Sequence, residues 1–454
     1  MLSSIGNVWR KLFLYGGLYL VTGFIVSSML FLDPESKNVL PWLRVVIIVF
    51  ATTLLTKYFI YMLFSPWYDA WKYWKYCHVL KKEVVAYKPL VSVVVPAWNE
   101  EVGILATIES LLASTYRSVE LVVVNDGSTD QSDQMIKDFL REYERSATNE
   151  EGRIPITYQY QKNGGKGHAL NTAIALAKGD IIISIDADCA VAPTAIANFV
   201  KYFADPKVMA AVGNVKIGNN GSVIGIIQYL EFLFSFYFKK ADSLFNTIYI
   251  IGGAAGAFRR EVFEQLGGYT VDNITEDIEL SMRIQDAGMK IVYASDAVVY
   301  TEGATDIKGL GSQRLRWKRG RFHTFHYFRH LFFSSKPGHK KTLTWGILPL
   351  ALFGDLQLFL EPLFLIFLYI YSFITQDYSS FISGIVVVGS MFVIQVLFDE
   401  RKKRKWTFYA LLPIGWLLFY MTTIVEYMAL IKSIWSSMFN KKTVWQSWDR
   451  TGVR

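Results

Sequence analysis

The chain contains 454 residues, of which 52% are hydrophobic and 16% aromatic, and its formal net charge at pH 7 is +8. With a mean hydropathy of +0.25, this composition argues against a purely soluble protein. Two cysteines, Cys77 and Cys189, are too few for a disulfide framework, and because no nucleic-acid-binding motif is present, we interpret the positive charge as attraction to anionic lipid, with no nucleic-acid partner.

Two apolar stretches open the chain. Leu12 to Leu32 carries no charged residue and is long enough to cross a bilayer, and Val45 to Phe64 is interrupted only by Lys57. The first stretch is too long for the apolar region of a secretory signal and a second one follows it, so we expect no cleaved signal peptide. Basic residues precede the first stretch and follow the second, which places the N terminus and the region after residue 64 in the cytoplasm.

The next part of the chain alternates short β-branched runs with stretches of helical spacing. The predicted strands are VSVVV (91–95), ELVVV (120–124), ITYQY (156–160) and DIIISI (180–185). The stretches with helical spacing are 99–114, 130–144 and 165–179. This alternation predicts a parallel sheet with crossover helices, in which ligands bind beyond the carboxyl ends of the strands.

Polar residues follow each of the four predicted strands. The segments are PAWNE (Pro96 to Glu100), NDGSTD (Asn125 to Asp130), KNGGKGHALN (Lys162 to Asn171) and DADC (Asp186 to Cys189). Side chains two positions apart on an extended strand point the same way, so Asp186 and Asp188 face one space, where a hard divalent cation would offset their like charge. Each segment alone also fits a turn, a helix cap or a weak phosphate loop without the Walker spacing. Because they occur together, we interpret them as one nucleotide-binding cleft.

Two later stretches place charged residues at helical spacing. ITEDIELSMRIQDAG (274–288) has Glu276 and Asp277 in its first turn, where the helix dipole alone would favour acidic residues. GSQRLRWKRGRFHTFHYFRH (311–330) alternates basic and aromatic residues. A membrane-interface belt of aromatic and basic anchors, or RNA binding, is the alternative explanation for this second stretch.

Apolar sequence returns in three C-terminal stretches. These are Trp345 to Ile374, Phe381 to Phe398 and Trp406 to Ile431. We interpret the first half of the first stretch as an interfacial helix and its second half as a span, which gives roughly five crossings in the whole chain. Acidic residues inside these stretches are costly and either line a polar passage, lie at the interface or pair with one another. They are Asp355, Glu361 and Glu426.

Taken in order, these motifs resemble the membrane-integrated, inverting family 2 glycosyltransferases. The resemblance rests on PAWNE, NDGS, GGKGHALN, DAD, GNVKIGN (213–219), TED and QRLRW. Among these enzymes it points first to bacterial poly-N-acetylglucosamine synthases, with hyaluronan, chitin and cellulose synthases as relatives. It implies an α/β GT-A-type (Rossmann-like) cytosolic domain inserted between transmembrane α-helices. The implied segments are a transmembrane hairpin (1–65), a basic aromatic linker (66–88), the cytosolic GT-A domain (89–335), interfacial and transmembrane helices (336–435) and a polar C-terminal tail (436–454).

The resemblance also implies a donor pocket. Asp126 would contact the uridine of a UDP-sugar, with Pro96 and Glu100 lining the same pocket. Lys166 and Asp186 would lie against the nucleotide as well.

A metal site and a catalytic group complete what the resemblance implies. Asp188 would bind the Mg²⁺ or Mn²⁺ that bridges the diphosphate. Asp277 would be the general base, with Glu276 beside it among the catalytic residues. The QxxRW residues, which would lie near the diphosphate and the acceptor sugar, are Gln313, Arg316 and Trp317.

The implied activity is processive extension of a β-linked polysaccharide from a UDP-sugar, UDP-N-acetylglucosamine first among the candidates. The growing polysaccharide would pass through the membrane helices of a multi-pass protein in the cell (inner or plasma) membrane, with its catalytic domain in the cytoplasm. Membrane lipid is an expected partner, and an accessory export subunit is a further candidate. Two alternatives remain: a non-processive transferase with a lipid acceptor, and a transporter or sensor whose nucleotide-binding domain has lost part of the acidic set.

Overall fold

The computed structural model describes most of the chain. The described residues are 41–145, 153–378 and 415–439, with the separate positions 382, 385, 386, 389, 390, 393, 450, 452 and 453. The predicted membrane stretch at 12–32 and the basic cluster at 399–405 lie outside them, as does most of the stretch at 381–398.

One eight-stranded sheet forms the centre of the fold. Its strands are β1 Val91–Ala97, β2 Val119–Asp126, β3 Ile156–Gln161, β4 Ile181–Ser184, β5 Cys189–Val191, β6 Val208–Ile217, β7 Gly256–Arg259 and β8 Lys290–Thr301. Their order across the sheet is β3-β2-β1-β4-β7-β6-β8-β5.

The first half of the sheet is parallel, as predicted. Val91 of β1 lies opposite Val119 of β2 on one side and Ile181 of β4 on the other, and β3 pairs parallel with β2. The second half differs, because β7 runs antiparallel to both β4 and β6, and β5 runs antiparallel to β8. The sheet as a whole is therefore mixed. A strand that runs antiparallel to its neighbours, as β7 does, does not need the crossover connection that parallel strands require.

Helices cover both faces of the sheet and extend beyond it. They are α1 Pro41–Trp74, α2 Lys81–Ala86, α3 Ile104–Leu112, α4 Ser132–Arg145, α5 Lys166–Leu176, α6 Ala195–Tyr202, α7 Val223–Phe245, α8 Arg260–Leu266, α9 Glu276–Asp286, α10 Ile307–Tyr327, α11 Leu348–Thr375 and α12 Gly415–Met438.

Alternate residues of the central strands face two hydrophobic cores. Val93 of β1 packs in one core with Ile108 of α3 and Phe199 of α6. Val94 packs in the other core with Leu170 of α5. This division follows from the two-residue repeat of a strand and explains the continuous Val and Ile runs, because both faces are buried.

The apolar helices adjoin the sheet domain directly. Helix α1 continues through residue 66, and its Tyr68 hydroxyl donates a hydrogen bond to the carbonyl oxygen of Tyr293 in β8. Helix α11 is one continuous helix, although Pro362 lies inside it. Among the described residues, one helical segment, Thr342–Thr375, is long and apolar enough to cross a membrane.

Candidate active site

Two strand-end loops are bonded to each other beyond β1 and β2. Asn99 adopts a left-handed φ of 54°, and its backbone N–H donates to the Ser128 hydroxyl at 3.0 Å. Its side-chain oxygen accepts from the Thr129 backbone N–H at 2.8 Å. The Glu100 backbone N–H donates to the Ser132 hydroxyl at 2.9 Å. Polar groups that follow separate strands in the sequence are therefore joined by hydrogen bonds along one edge of the sheet.

Asp126, buried at the end of β2, organises the glycine segment that follows β3. Its carboxylate accepts hydrogen bonds from the backbone N–H groups of Gly164 and Gly165 at 3.0 and 2.8 Å, and from the Gln161 amide at 2.7 Å. Gly127 follows with a φ of 71°, and a Cβ at this position would lie 2.7 Å from the Asn163 backbone nitrogen. Asp126 thus holds in place the loop that delivers Lys166.

Lys166 lies among carboxylates from two distant parts of the chain. Its Nζ is 2.6 Å from Asp186 Oδ1 and 3.7 Å from Glu276 Oε1. Burial opposes the charged form of Lys166, but Asp186 and Glu276 outweigh it and hold the pKa of Lys166 above its ordinary value. A Cβ at Gly253 would lie 2.7 Å from Lys166 Nζ, so the small-residue segment GGAAG leaves room for this ammonium group.

Asp277 faces the same cluster from the first turn of α9. Its Oδ2 accepts from the Gly253 backbone N–H at 3.0 Å, and its Oδ1 accepts from the Ile278 backbone N–H at 2.8 Å. Gly253 is also the residue whose Cβ would meet Lys166 and Asp186. Asp277 and Asp186 therefore flank one backbone segment.

Asp188 and Glu100 both pair with the guanidinium group of Arg450, which no sequence motif places in the cleft. Arg450 Nη1 lies 2.6 Å from Asp188 Oδ2, and Nη2 lies 2.7 Å from Glu100 Oε1. Glu302, just after β8, is 3.9 Å from Arg450 Nη1. Burial and the charge of Asp188 raise the pKa of Glu100 to about 8, although Arg450 opposes this shift.

The QxxRW residues lie on α10, which packs closely on the start of α9. A Cβ at Gly320 would come within 2.2 Å of the Thr275 hydroxyl, so only glycine allows this approach. Arg316 is near Glu276, Asp277 and Asp186, whose charges oppose the lowering of its pKa by burial. Gln313 is buried, and its side-chain oxygen has no hydrogen-bond partner within the part of the chain that the structure describes.

The contacts of Trp317 and Pro96 are with residues outside the charged cluster. The Trp317 ring lies 4.4 Å from the guanidinium carbon of Arg314 and 6.5 Å from the Phe232 ring. Pro96 is buried within β1 opposite Val124. The structure thus places Lys166 against Asp186 and Glu276, with Arg316 near the same carboxylates. Asp126 contacts the glycine segment.

The opposite face of α10 is held by a partly buried ionic network around Arg314. It joins α10 to α7, α11 and α12, and it pairs two acidic residues of the apolar stretches, Asp355 and Glu426, with basic residues. Arg321 also pairs with Asp355. The other pairs are Arg314–Glu231 at 2.7 Å, Arg314–Glu426 at 3.4 Å, Lys318–Glu426 at 2.8 Å and Lys318–Asp355 at 3.2 Å. Asp355 and Glu426 therefore pair with basic residues of α10 and not with one another.

The residues around Asp188 fit a divalent cation. No group of three His, Cys, Asp or Glu side chains that could hold a metal is found in the described ranges, but Mg²⁺ and related hard cations typically take one or two carboxylates together with substrate phosphates. Asp188 and Glu100 supply carboxylate oxygens only and already surround a cationic group. One of those oxygens, Glu100 Oε2, is buried and has no hydrogen-bond partner among the described residues.

Glu276 gives the site a predicted pH dependence. Burial, with the charge of Asp277, raises the pKa of Glu276 from 4.5 to about 7, against the opposing effect of Lys166. Because the folded state holds this proton more tightly, the stabilisation is complete below pH 4.5 and is lost as the pH rises through 7, by on the order of 3 kcal/mol. The Glu276→Gln variant should therefore gain stability relative to the unaltered protein across this pH range. Denaturant midpoints of both proteins at several pH values measure the difference, and a constant difference would contradict the shift.

Sequence reasoning missed several groups of this cleft. Arg450 and Glu302 belong to no predicted motif, and their contacts join residues separated by 350 and 148 positions along the chain (450 minus 100, and 450 minus 302). The small residues around Gly253 were an available signal, because such a run permits close approach to a neighbouring group. No comparable pattern marks Arg450.

Comparisons with known proteins agree with this geometry. A family model described as "Glycosyltransferase like family 2" matches residues 89–320. The poly-beta-1,6-N-acetyl-D-glucosamine synthase of Staphylococcus aureus (strain COL) is 31% identical over 225 residues, which cover 49% of this chain and 52% of that protein. The synthase of the same name from Staphylococcus epidermidis is 29% identical over 232 residues, covering 51% and 54%. The chain spans about half the length of the curated relatives it matches.

A solved structure shares the fold. The mannosyltransferase PcManGT from Pyrobaculum calidifontis, solved in complex with GDP-Man and Mn²⁺, superposes with a TM-score of 0.51 at 20% sequence identity. The match covers 84% of this chain and 99% of that one. Together with the mixed sheet, it shows a GT-A-like fold.

Proposed function

Because the chain belongs to the glycosyltransferase-like family 2 and is a glycosyltransferase, we propose that it transfers a sugar from a UDP-sugar to a growing β-linked polysaccharide. N-acetylglucosamine is the first candidate, since the curated relatives are named as poly-N-acetylglucosamine synthases. The proposal includes the segment boundaries inferred from the sequence, with residues 89–335 as the catalytic domain.

The observation that carries this proposal is the meeting of charged groups from distant segments. Lys166 and Asp186 are in contact, Glu276 and Asp277 approach them from α9, and Arg316 approaches from α10. A glycosyl transfer from a nucleotide diphosphate needs both a proton acceptor and positive charge near the leaving group. A cleft with these two kinds of group, at the carboxyl ends of parallel strands, meets both needs.

We assign the proton acceptor to Asp277. Its carboxylate is held by two backbone N–H groups, which fix its direction. An acceptor hydroxyl near it would lose its proton as the oxygen attacks the anomeric carbon. One base is enough for a single displacement, which inverts the configuration at that carbon. Glu276, beside it, pairs with Lys166 and shapes the charge of the cleft.

Positive charge for the leaving group would come from Arg316 and Lys166. Arg316 lies partly buried near the acidic cluster, where a fixed cation acts more strongly than in water. Asp188, with Glu100, would hold a divalent cation, Mg²⁺ or Mn²⁺, which would neutralise charge developing on the diphosphate. Asp126 shapes the glycine segment beneath the proposed nucleotide, and Gln313 and Trp317 would meet the acceptor sugar.

The membrane part of the proposal concerns the route of the product. The apolar segment Thr342–Thr375 adjoins the domain through α10, which also carries the QxxRW residues. We propose that the protein is a multi-pass membrane protein with its catalytic domain in the cytoplasm, and that the polysaccharide leaves through its helices. Membrane lipid and an accessory export subunit are the proposed partners.

The experiment that tests the function uses membranes containing the protein. They are incubated with labelled UDP-N-acetylglucosamine, other UDP-sugars and GDP-mannose, and Asp277→Asn membranes serve as the control. From a UDP-sugar we expect a long product that β-linkage-specific glycosidases degrade. A product that carries a single sugar on a lipid would favour the hypothesis of a non-processive transferase over that of a processive one. Transfer from GDP-mannose alone, or from no donor, would overturn the UDP assignment.

Removal of divalent cations should stop transfer. With EDTA in excess, we expect no product from the preferred donor, because Asp188 and Glu100 would then meet the diphosphate without a compensating cation. Added Mn²⁺ or Mg²⁺ should restore the rate, measured as released UDP. Undiminished UDP release after dialysis against EDTA would remove the cation from the proposal.

A further inference from the structure

A segment between α7 and β7 places one of the backbone groups that hold Asp277. Residues 246–252 form neither helix nor strand, and they lead from the end of α7 to Gly253, the first residue of a short 3₁₀ turn. Gly253 donates its backbone N–H to Asp277 Oδ2 at 3.0 Å. The path of this 246–253 segment therefore decides how the carboxylate of the proposed base is directed.

Helix α9 holds the 246–253 segment from one side. The Ile251 backbone N–H donates to the Ser281 hydroxyl at 2.8 Å, and that hydroxyl donates to the carbonyl oxygen of Asp277 at 2.6 Å. The Gln285 amide donates to the carbonyl oxygen of Ile248 at 2.7 Å. Shielded backbone groups outside helices and strands need such partners. The helix that carries the proposed base is thus bonded to the segment at more than one point.

Lys239 of α7 holds the same segment from the other side. Its side chain is partly buried, and its Nζ donates to the carbonyl oxygen of Ile250 at 2.9 Å. Burial lowers the pKa of Lys239, and the negative charges of Asp242 and Asp277 oppose this lowering. The ammonium group is therefore within electrostatic reach of the proposed base, although its hydrogen bond goes to the segment.

One peptide group receives both of these bonds. The carbonyl oxygen of Ile250 and the N–H of Ile251 belong to the same planar unit, so Lys239 and Ser281 together fix its plane. The bond from Lys239 is charge-assisted and hence stronger than one between neutral groups. Two glycines, at 252 and 253, follow directly, and a glycine backbone has more freedom than any other. The direction of the chain at Gly253 therefore depends on the fixed peptide group before it.

We propose that Lys239 is a positioning residue for sugar transfer: by holding the oxygen of the 250–251 peptide group, it keeps the Gly253 N–H directed at Asp277. This inference deepens the proposed function and rests on it for the role of Asp277 as the base. The bond between Lys239 and the segment does not depend on that role.

Amide hydrogen exchange of the whole chain in detergent tests the bond without any sugar transfer. Lys239→Met keeps an unbranched side chain but removes the donor. The amides of Ile251 and Gly253 should then exchange about tenfold faster or more, because a charge-assisted bond that opposes local opening is lost. Lys239→Arg keeps a cationic donor and should exchange near the original rate. Unchanged exchange in Lys239→Met would overturn the proposal.

Steady-state kinetics separate positioning from a general effect on stability. The kcat of Lys239→Met should fall by about 10–100-fold, since a small misplacement of a reacting group has effects of this size, while UDP affinity is retained. Lys239→Arg should recover kcat to within a few-fold. A lysine that only stabilised the fold would lower the unfolding temperature and leave the kcat of the folded protein unchanged. Faster exchange with unaltered kcat in Lys239→Met would thus reject the positioning role.

The neighbouring Lys240 provides the matched control. Its Nζ lies 2.8 Å from Asp69 Oδ2 in α1, so its ion pair joins α7 to a different helix. Lys240→Met removes the same charge from the same helix. It should lower the unfolding temperature but leave the exchange of Ile251 and Gly253 and the kcat unchanged. Equal acceleration of exchange in Lys239→Met and Lys240→Met would show a general weakening of α7 and would also overturn the proposal.

The two proposals fail separately. If the unaltered protein transfers sugar from no donor, the transferase is rejected, and faster exchange in Lys239→Met alone would still support its hold on the segment. Transfer by the unaltered protein, with an equal kcat in Lys239→Met, would support the transferase and reject the positioning role.

Discussion

Asp277→Asn is expected to lower kcat by about 10²–10⁴-fold, the usual contribution of a positioned general base. The amide of asparagine is close in size to the carboxylate and can still accept a hydrogen bond from the Gly253 backbone N–H. It cannot take a proton from the acceptor hydroxyl. Nucleotide binding should therefore persist while transfer is lost. The two quantities are measured by UDP titration and by initial rates of UDP release with acceptor present.

The control for this variant lies five positions earlier. Asp272 is exposed, and Asp272→Asn changes the same charge outside the cleft. It should retain the original rate. Turnover by Asp277→Asn within a few-fold of the unaltered enzyme would assign the base to another residue.

Arg314→Met is expected to destabilise the protein by about 3 kcal/mol, because it leaves the partly buried Glu231 carboxylate without its partner, while Glu426 keeps Lys318. Arg314 is 1% exposed and lies between Glu231 of α7 and Glu426 of α12. Methionine keeps most of the side-chain volume, so the loss reports on charge more than on packing. The unfolding temperature in detergent and the monodisperse fraction on size exclusion measure the effect.

A second variant separates lost charge from a general defect. Lys308 is exposed on the same helix, and Lys308→Met should unfold near the original temperature. Replacing Arg314 and Glu231 together should cost less than replacing Arg314 alone, because fewer buried charges are then unpaired. An Arg314→Met protein as stable as Lys308→Met would show that the network does not hold α10.

The parallel half of the fold could be predicted from the sequence because its signals are local. The runs at 91–95 and 120–124 became β1 and β2 with at most two added residues at either end, since an uninterrupted Val run has few alternatives when both faces are buried. The helix predicted at 99–114 begins later, at Ile104. Asn99 adopts a left-handed φ there and bonds to the loop after β2, which no local pattern reveals.

The antiparallel half was harder to foresee. Strand β7 is only four residues long, GAFR. Its sequence does not alternate between apolar and polar residues, which would have indicated a strand. Its place between β4 and β6 is decided by pairing with strands about 45–75 residues away in the sequence, and such contacts leave no periodic trace.

The candidate site divides in the same way. The acidic residues at strand ends could be found because topology brings the carboxyl ends of parallel strands together. Asp126 stays a predicted uridine contact, and its hydrogen bonds to Gly164, Gly165 and Gln161 could not be predicted from the sequence. Arg450 could not be found, because a single basic residue in a polar tail is indistinguishable from any other solvated charge.

The configuration of the newly formed glycosidic bond tests single displacement at this cleft most directly. The product made from the α-linked UDP-sugar that the donor panel identifies is examined by proton NMR at its anomeric position. Attack assisted by Asp277 from the side opposite the diphosphate requires a β-linked product. An α-linked product would mean retention of configuration, and the arrangement of Asp277, Arg316 and Lys166 would then serve a different reaction.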